Sequence, residues 1–241
     1  INMYNLSIII PLYNEENRLK KSLKILISFL SKKNKNKIET IFVSDGSTDN
    51  TNDLINSFII KNKKIYNLRL IEYKKNVGKG YAIKKGIMNA SHEWQLICDA
   101  DMSVNVNQFQ DWYKKKLIKN ENAAYFGSRN HKNSKITSTI KRRYFGLIFI
   151  YILKFLFKIQ IEDTQCGFKV FHKSYSSRVF KKLKSYRFAF DVEIILILWK
   201  NNIHIYELPL KWVHKKDSKL SLIKDMPIML YDILKIKLRN N

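Results

Sequence analysis

Short β-branched apolar runs alternate with amphipathic helical patterns four times in the first half of this 241-residue chain. Leu6 to Leu12 (LSIIIPL) is compact, apolar and rich in isoleucine, as expected of a strand buried on both faces. A helical pattern follows to about Leu30, with Leu19, Leu23, Leu26, Ile27 and Leu30 on one face and Asn14 placed as a cap. The same reading gives strands at Ile38 to Val43, Leu68 to Tyr73, Glu93 to Cys98 and Ala123 to Phe126. Helices are expected between them, at about 50–61, 76–90 and 106–119. Such alternation implies an α/β fold with a mostly parallel central sheet flanked by helices. No repeat, low-complexity block or Pro/Gly/Ser linker divides the chain, so 1–241 reads as one domain.

The fourth strand runs from Leu96 to Cys98 into two carboxylates, Asp99 and Asp101. If the extended geometry continues, both point to one face. The carboxyl ends of strands are where open α/β sheets bind ligands. Oxygen ligands of this kind suit a hard divalent cation, Mg²⁺ or Mn²⁺, that also holds phosphates. Taken alone, D-x-D equally describes a solvated turn. Asn76-Val77-Gly78-Lys79-Gly80 opens a helix, and two glycines with a lysine there suit a phosphate cradle. The stretch lacks the Walker pattern.

The 45 Lys and Arg against 20 Asp and Glu leave a formal charge of +25, which attracts polyanions, anionic headgroups or phosphorylated substrates. Part of the excess fits a general bias toward Lys, Asn and Ile. A nucleic-acid-binding module is suggested by charge alone and leaves the Asp clusters without a use, so no nucleic-acid partner is expected. The two cysteines, Cys98 and Cys166, have no zinc or redox-pair spacing, and the five histidines show no ligand spacing. No run reaches the length of a membrane span. The second half differs in texture. Lys141-Arg142-Arg143 precedes an apolar stretch, 144–158, and a basic amphipathic pattern covers about Leu222 to Leu238. Each is expected as a helix lying in a membrane interface; for 144–158 a buried core helix is the competing expectation. An apolar helix from Phe188 through Trp199 and an edge strand from Ile203 to Leu210 lie between them.

Eight stretches, in this order, resemble family 2 glycosyltransferases. They are PLYNEENRL (11–19), SDGSTDNT (44–51), NVGKGYAIKKGI (76–87), DADMS (99–103), GSR (127–129), DTQCGFKVF (163–171), RFAFDVEI (187–194) and SKL (218–220). The first four are common to many members. DTQCGFK, AFDVE and the late SKL are specific to the lipid-phosphate subgroup, the dolichyl-phosphate β-glucosyltransferases and their bacterial polyprenyl-phosphate relatives. Three departures stand out: Ser44 where a first acid is usual, Phe188 where tryptophan often precedes AFDVE, and no visible amino-terminal anchor.

The resemblance implies a GT-A fold with residues 1–128 as the nucleotide-sugar-binding half and 129–241 as the acceptor-binding half. It implies that Pro11, Tyr13, Glu15 and Asp45 line a uracil and ribose pocket, with Lys79 near the nucleotide. Asp99 would contact ribose and metal, and Asp101 would ligate the Mg²⁺ or Mn²⁺ through the diphosphate. A polyprenyl monophosphate acceptor would be positioned by Arg129, Arg142, Arg143 and Lys219, arginine suiting bidentate phosphate contacts. Asp163, Gln165, Asp191 and Glu193 would shape the acceptor side. Asp99, Asp101, Arg129, Asp191 and Lys219 form the implied catalytic set. The implied reaction is inverting transfer of a hexose, glucose from UDP-glucose favoured, by a peripheral protein at the cytoplasmic face of a membrane. Two alternatives stay open: a mannosyl-phosphate synthase using GDP-mannose, and extension of a glycan on a sugar hydroxyl with Asp191 or Glu193 as base.

Overall fold

The computed structural model describes residues 4–137, 150–213 and 222–240. The strands are β1 (Leu6–Leu12), β2 (Ile38–Asp45), β3 (Asn67–Tyr73), β4 (Trp94–Cys98), β5 (Ala123–Ser128), β6 (Lys135–Thr137), β7 (Phe168–His172), β8 (His204–Pro209) and β9 (Lys211–Val213). The helices are α1 (Glu16–Leu30), α2 (Thr51–Asn62), α3 (Lys79–Asn89), α4 (Asn107–Lys114), α5 (150–157), α6 (Lys173–Lys181), α7 (Phe190–Lys200) and α8 (Leu222–Asn240). Seven strands form one sheet in the order β3-β2-β1-β4-β7-β5-β8. All its pairings are parallel except those of β7, which runs antiparallel between β4 and β5. The expected mostly parallel α/β sheet is therefore present. The reversed β7 follows from chain order: it enters after the long excursion through 129–167 and fills the gap between β4 and β5.

The apolar runs read as strands are buried on both faces because helices cover both sides. One layer sets Leu19, Leu26 and Phe29 of α1, Ile55 of α2, and Phe109 and Trp112 of α4 against the sheet. The other sets Ile83 and Ile87 of α3, Val179 and Phe180 of α6, Val192 and Ile195 of α7 and Ile233 of α8 against its opposite face. Three local expectations need correction. Helix α4 stops at Lys114 rather than near 119, where Lys116 turns the chain at φ 54°. Helix α6 was not foreseen; its Lys/Ser-rich sequence hides the buried set Tyr175, Val179 and Phe180. Asn14 is not the cap of α1. It sits at φ 52°, and the first amides are capped from the next loop: Glu15 N donates to Thr51 Oγ1 (2.7 Å) and Glu16 N to Asp49 Oδ2 (3.2 Å).

Residues 138–149 and 214–221 lie outside the described residues, so the stretch expected as a helix at 144–158 is seen only from 150. There, Ile150 and Leu153 are buried while Tyr151 and Phe155 face solvent, Phe155 at 87% exposure. This described part is not a fully buried core helix.

At the amino end of the sheet, Glu39 is a buried carboxylate accepting from Ser7 Oγ (2.5 Å), Ser91 N (2.6 Å), Ser91 Oγ (2.9 Å) and Arg69 (2.8 Å). It ties β1, β2, β3 and the turn before β4 together. Burial pushes its pKa up, but the Ser7 and Ser91 hydrogen bonds with the Arg69 charge hold it below the usual carboxylate range. A depressed folded value stabilises above the unfolded pKa of about 4.3 and is lost as pH falls through the folded value. Glu39→Ala is expected to cost about 3 kcal/mol in urea unfolding at pH 7, because it strands buried donors. The gap between wild type and Glu39→Gln should be open at pH 7 and narrow toward pH 3.

Candidate active site

The loops at the carboxyl ends of β1, β2 and β4 meet the turn before α3 and the segment 163–167. Asp45, at the end of β2, is buried and accepts from Asn76 Nδ2 (3.0 Å), Val77 N (2.8 Å) and Gly78 N (2.8 Å). It thereby fixes the turn that starts α3. Gly78 has φ 126°, and a Cβ there would lie 2.3 Å from Tyr186 O, so only glycine fits. Tyr186 O in turn accepts from Gly80 N (2.7 Å) and Tyr81 N (3.3 Å). The expected phosphate cradle needs correction on this point. The amides of Val77, Gly78, Gly80 and Tyr81 already have protein acceptors, and the cationic group of the turn is the Lys79 side chain.

Strand β4 ends at Cys98, and Asp99 and Asp101 occupy a turn, not one face of a continued strand. Met102 N closes it onto Asp99 O (3.0 Å), Met102 takes φ 51°, and Ser103 N donates to Asp101 Oδ1 (2.8 Å). Lys79 Nζ lies 2.6 Å from Asp99 Oδ1. Arg18 approaches Asp101 Oδ2 at 3.9 Å while gripping Glu15 through Nε (2.8 Å) and Nη2 (2.6 Å). The Asp99 and Asp101 side chains keep 36% and 20% exposure. Burial raises the Asp99 pKa, but Lys79, with the charges of Lys169 and Arg129, holds the carboxyl below its ordinary value. Behind Asp99 stands Gly167: a Cβ there would be 1.9 Å from Asp99 Oδ2.

The acceptor-side residues are largely engaged with one another. Arg129 grips Asp163 through Nε and Nη2 at 2.7 Å each, and Arg129 N adds a third bond at 2.8 Å. Burial raises the Asp163 pKa, yet Arg129 holds it below the ordinary range. Lys169, buried on β7, donates to Asp191 Oδ1 (2.5 Å) and Cys166 O (2.8 Å). Burial dominates at Asp191 and raises its pKa in spite of Lys169 and Lys79. Glu193 accepts from Lys184 N (3.0 Å) and Ser185 N (2.5 Å) and meets Arg239 of α8 at 3.4 Å. It braces the loop carrying Tyr186. Gln165 is half-buried beside Asp163, and Pro11 and Tyr13 lie at the end of β1, Tyr13 exposed. Burial pushes the Cys166 thiol up to about 12 and Cys98 well above its usual value, so neither is an activated nucleophile. Arg142, Arg143 and Lys219 lie outside the described residues.

Among the described residues no three His, Cys, Asp or Glu side chains converge to hold a metal. Asp99 and Asp101 supply oxygen donors and are open to solvent. That fits Mg²⁺ or Mn²⁺, which bind through one or two carboxylates and complete their shell with water and substrate phosphates. Sequence reasoning missed Arg18, Lys169 and Gly167. Arg18 stands at i+3 from Glu15, a spacing that pairs on a helical turn. A lone lysine in the apolar strand FKVF demands an acid partner. Gly167 had no signal beyond being glycine.

A sheet of this order, with paired acids after β4 and a lysine at the start of α3, defines a glycosyltransferase of the GT-A fold. Residues 7–180 match the model of glycosyl transferase family 2, and the chain belongs to that family. It is 36% identical over 252 residues to a dolichyl-phosphate beta-glucosyltransferase of Dictyostelium discoideum, covering 99% of this chain and 75% of that protein. It is 35% identical over 254 residues to the Homo sapiens protein of the same name, covering 97% and 75%. Glucosyl-3-phosphoglycerate synthase from Mycobacterium tuberculosis, solved with Mn²⁺ and UDP-glucose, shares the fold at TM-score 0.63 and 15% identity, covering 98% of this chain and 78% of that one.

Because a Cβ at 167 collides with the Asp99 carboxylate, Gly167→Ala should displace that group while leaving the fold intact. Transfer activity is expected to fall about 100-fold, the scale of an ångström-sized misplacement. The melting temperature should move little; both are read on the same preparation.

Proposed function

We propose that this chain transfers glucose from UDP-glucose to the phosphate of a dolichyl or polyprenyl monophosphate, at the cytoplasmic face of a membrane and with Mg²⁺ or Mn²⁺ on Asp99 and Asp101. The observation that carries the proposal is near-full-length identity of 36% to a protein named for that reaction, joined to the Lys79, Asp99 and Asp101 cluster. When bound, the cation neutralises the leaving nucleoside diphosphate. Asp99 and Asp101 hold it from the turn after β4. Lys79 adds positive charge on the diphosphate side, and Pro11, Tyr13 and Glu15 line the nucleotide end, with Asp45 behind them.

The pairing of the acceptor-side acids favours a phosphate acceptor over a sugar hydroxyl. A hydroxyl needs a base, but Asp191 is held by Lys169, and Glu193 is turned to the amides of Lys184 and Ser185. A phosphomonoester has a second pKa of about 6, so at pH 7 it is mostly dianionic and attacks without a dedicated base. Its needs are cationic. Arg129 is at the site; Arg142, Arg143 and Lys219 are the further cations. Val213 N of β9 donates to Ser103 O (2.9 Å) beside the Asp101 turn, and β9 pairs in parallel with β6. Attack opposite the departing nucleotide inverts the anomeric centre and gives a β-linked product.

The membrane placement rests on two helices. No described helix is long and apolar enough to cross a membrane. Instead α8 carries two apolar faces: Met229, Ile233 and Ile236 are buried, whereas Ile228, Tyr231, Leu234 and Leu238 are exposed. Tyr151 and Phe155 of α5 are exposed as well, and Lys235 and Lys237 lie over the rings of Tyr231 and Phe157. Exposed aromatics with flanking lysines on a chain of charge +25 suit an anionic bilayer surface.

Transfer is best tested with UDP-glucose and GDP-mannose as donors and with polyprenyl phosphate in anionic vesicles or a free sugar as acceptor. Glucosyl-phospholipid should form from UDP-glucose, stop with EDTA, return with Mn²⁺, and fall about 100-fold or more in Asp101→Ala. Phe155→Asp should lose rate on vesicles but keep it on a short, detergent-soluble polyprenyl phosphate. Preference for GDP-mannose or a sugar hydroxyl, or activity surviving both EDTA and Asp101→Ala, would refute the assignment.

A further inference from the structure

Lys79 is the first residue of α3, where the helix macrodipole is positive and a lysine is electrostatically unfavourable. It is held there by carboxylates. Its ammonium lies 2.6 Å from Asp99 Oδ1, and the charges of Asp191 and Asp101 also act on it. Asp191 is itself anchored by the buried Lys169. Lys79 therefore sits within the field of several carboxylates while occupying one of the two Asp99 oxygens. A divalent cation on Asp99 and an ammonium 2.6 Å from Oδ1 repel each other and compete for the same carboxylate. The Asp45 contacts fix the backbone of the turn through Val77 and Gly78, so the movable part is the lysine side chain.

We infer that Lys79 is a resident counter-ion exchanged during donor binding: its ammonium neutralises Asp99 before the metal–nucleotide complex arrives, then leaves that oxygen to the metal and turns to the diphosphate. The inference rests on the metal site proposed above. It gives one lysine two roles of opposite sign, hindering metal binding alone and favouring nucleotide binding once metal is present. It also gives the site a reason to prefer the metal–nucleotide complex over free metal, since only the diphosphate supplies a new partner for the displaced ammonium.

Mn²⁺ and UDP titrations by calorimetry separate the two roles. In Lys79→Met, Mn²⁺ alone should bind roughly two- to fivefold more tightly than in wild type, the scale of removing one partly exposed ion pair. At saturating Mn²⁺, UDP should bind several-fold more weakly. Lys79→Arg, which keeps the charge, should stay near wild type in the first titration. Unchanged or weaker Mn²⁺ binding in Lys79→Met would overturn the exchange. If wild type takes up no Mn²⁺ even with UDP, the metal site itself falls, and the exchange with it. Should Lys79→Met fail to fold, a crystal structure of wild type with UDP and Mg²⁺ decides. Lys79 Nζ beyond 4 Å from Asp99 and against phosphate supports the exchange; Nζ still on Asp99 refutes it.

Discussion

Asp45 takes three hydrogen bonds from consecutive residues, Asn76, Val77 and Gly78, and the rest of the site is built outward from that contact. It stops the chain from entering α3 in any other orientation, so Lys79 emerges toward Asp99. Gly167 presses Asp99 from the far side with no room for a Cβ. The start of α3 is further pinned by Tyr186 O, whose loop is held by Glu193, and Glu193 meets Arg239 of α8. A contiguous set of contacts thus runs from the helix with the exposed apolar face to the lysine beside the paired acids. The proposed donor side and the proposed membrane side are thereby joined by direct contacts.

Around this scaffold opposite charges come in pairs: Lys169 with Asp191, both buried, Arg129 with the buried Asp163, and Lys79 with Asp99, both partly exposed. Burying such pairs costs desolvation that apolar residues would not, so their presence calls for a role other than stability. Two consequences follow for chemistry. The acids are held in fixed places as counter-charges, leaving no unengaged carboxylate for general-base work on the acceptor side among the described residues. The paired charges also cancel one another in a strongly basic protein, which suits the anionic donor and acceptor proposed for the site.

Much of this was legible before any coordinates. Short apolar runs marked β1, β2 and β4, because a strand covered on both faces has little polar alternation to obscure it. The acids after β4 stood out as the end of such a run. What sequence could not show was non-local. The reversal of β7 depends on where the chain re-enters the sheet, and which acid answers Lys169 is visible only once Asp191 is placed opposite. Asp45 had no visible partner because its donors lie some thirty residues away on another loop. Asn14 looked like a cap, yet its side-chain Oδ1 accepts from Thr48 N (2.7 Å) and the capping passes to Thr51 and Asp49. Arg18 and Lys169 were the site residues overlooked despite a readable signal.

Two carboxylates hold a hard cation only weakly by themselves, so in the proposed reading the donor's diphosphate completes its shell. The decisive measurement is the affinity of wild-type protein for UDP with saturating Mn²⁺ and with EDTA. Binding should be about tenfold or more tighter with Mn²⁺, within the usual range of coupling between two ligands, and the Asp99→Asn, Asp101→Asn double variant should lose the difference. UDP affinity that is the same in Mn²⁺ and in EDTA would contradict a cation shared between the paired acids and the donor.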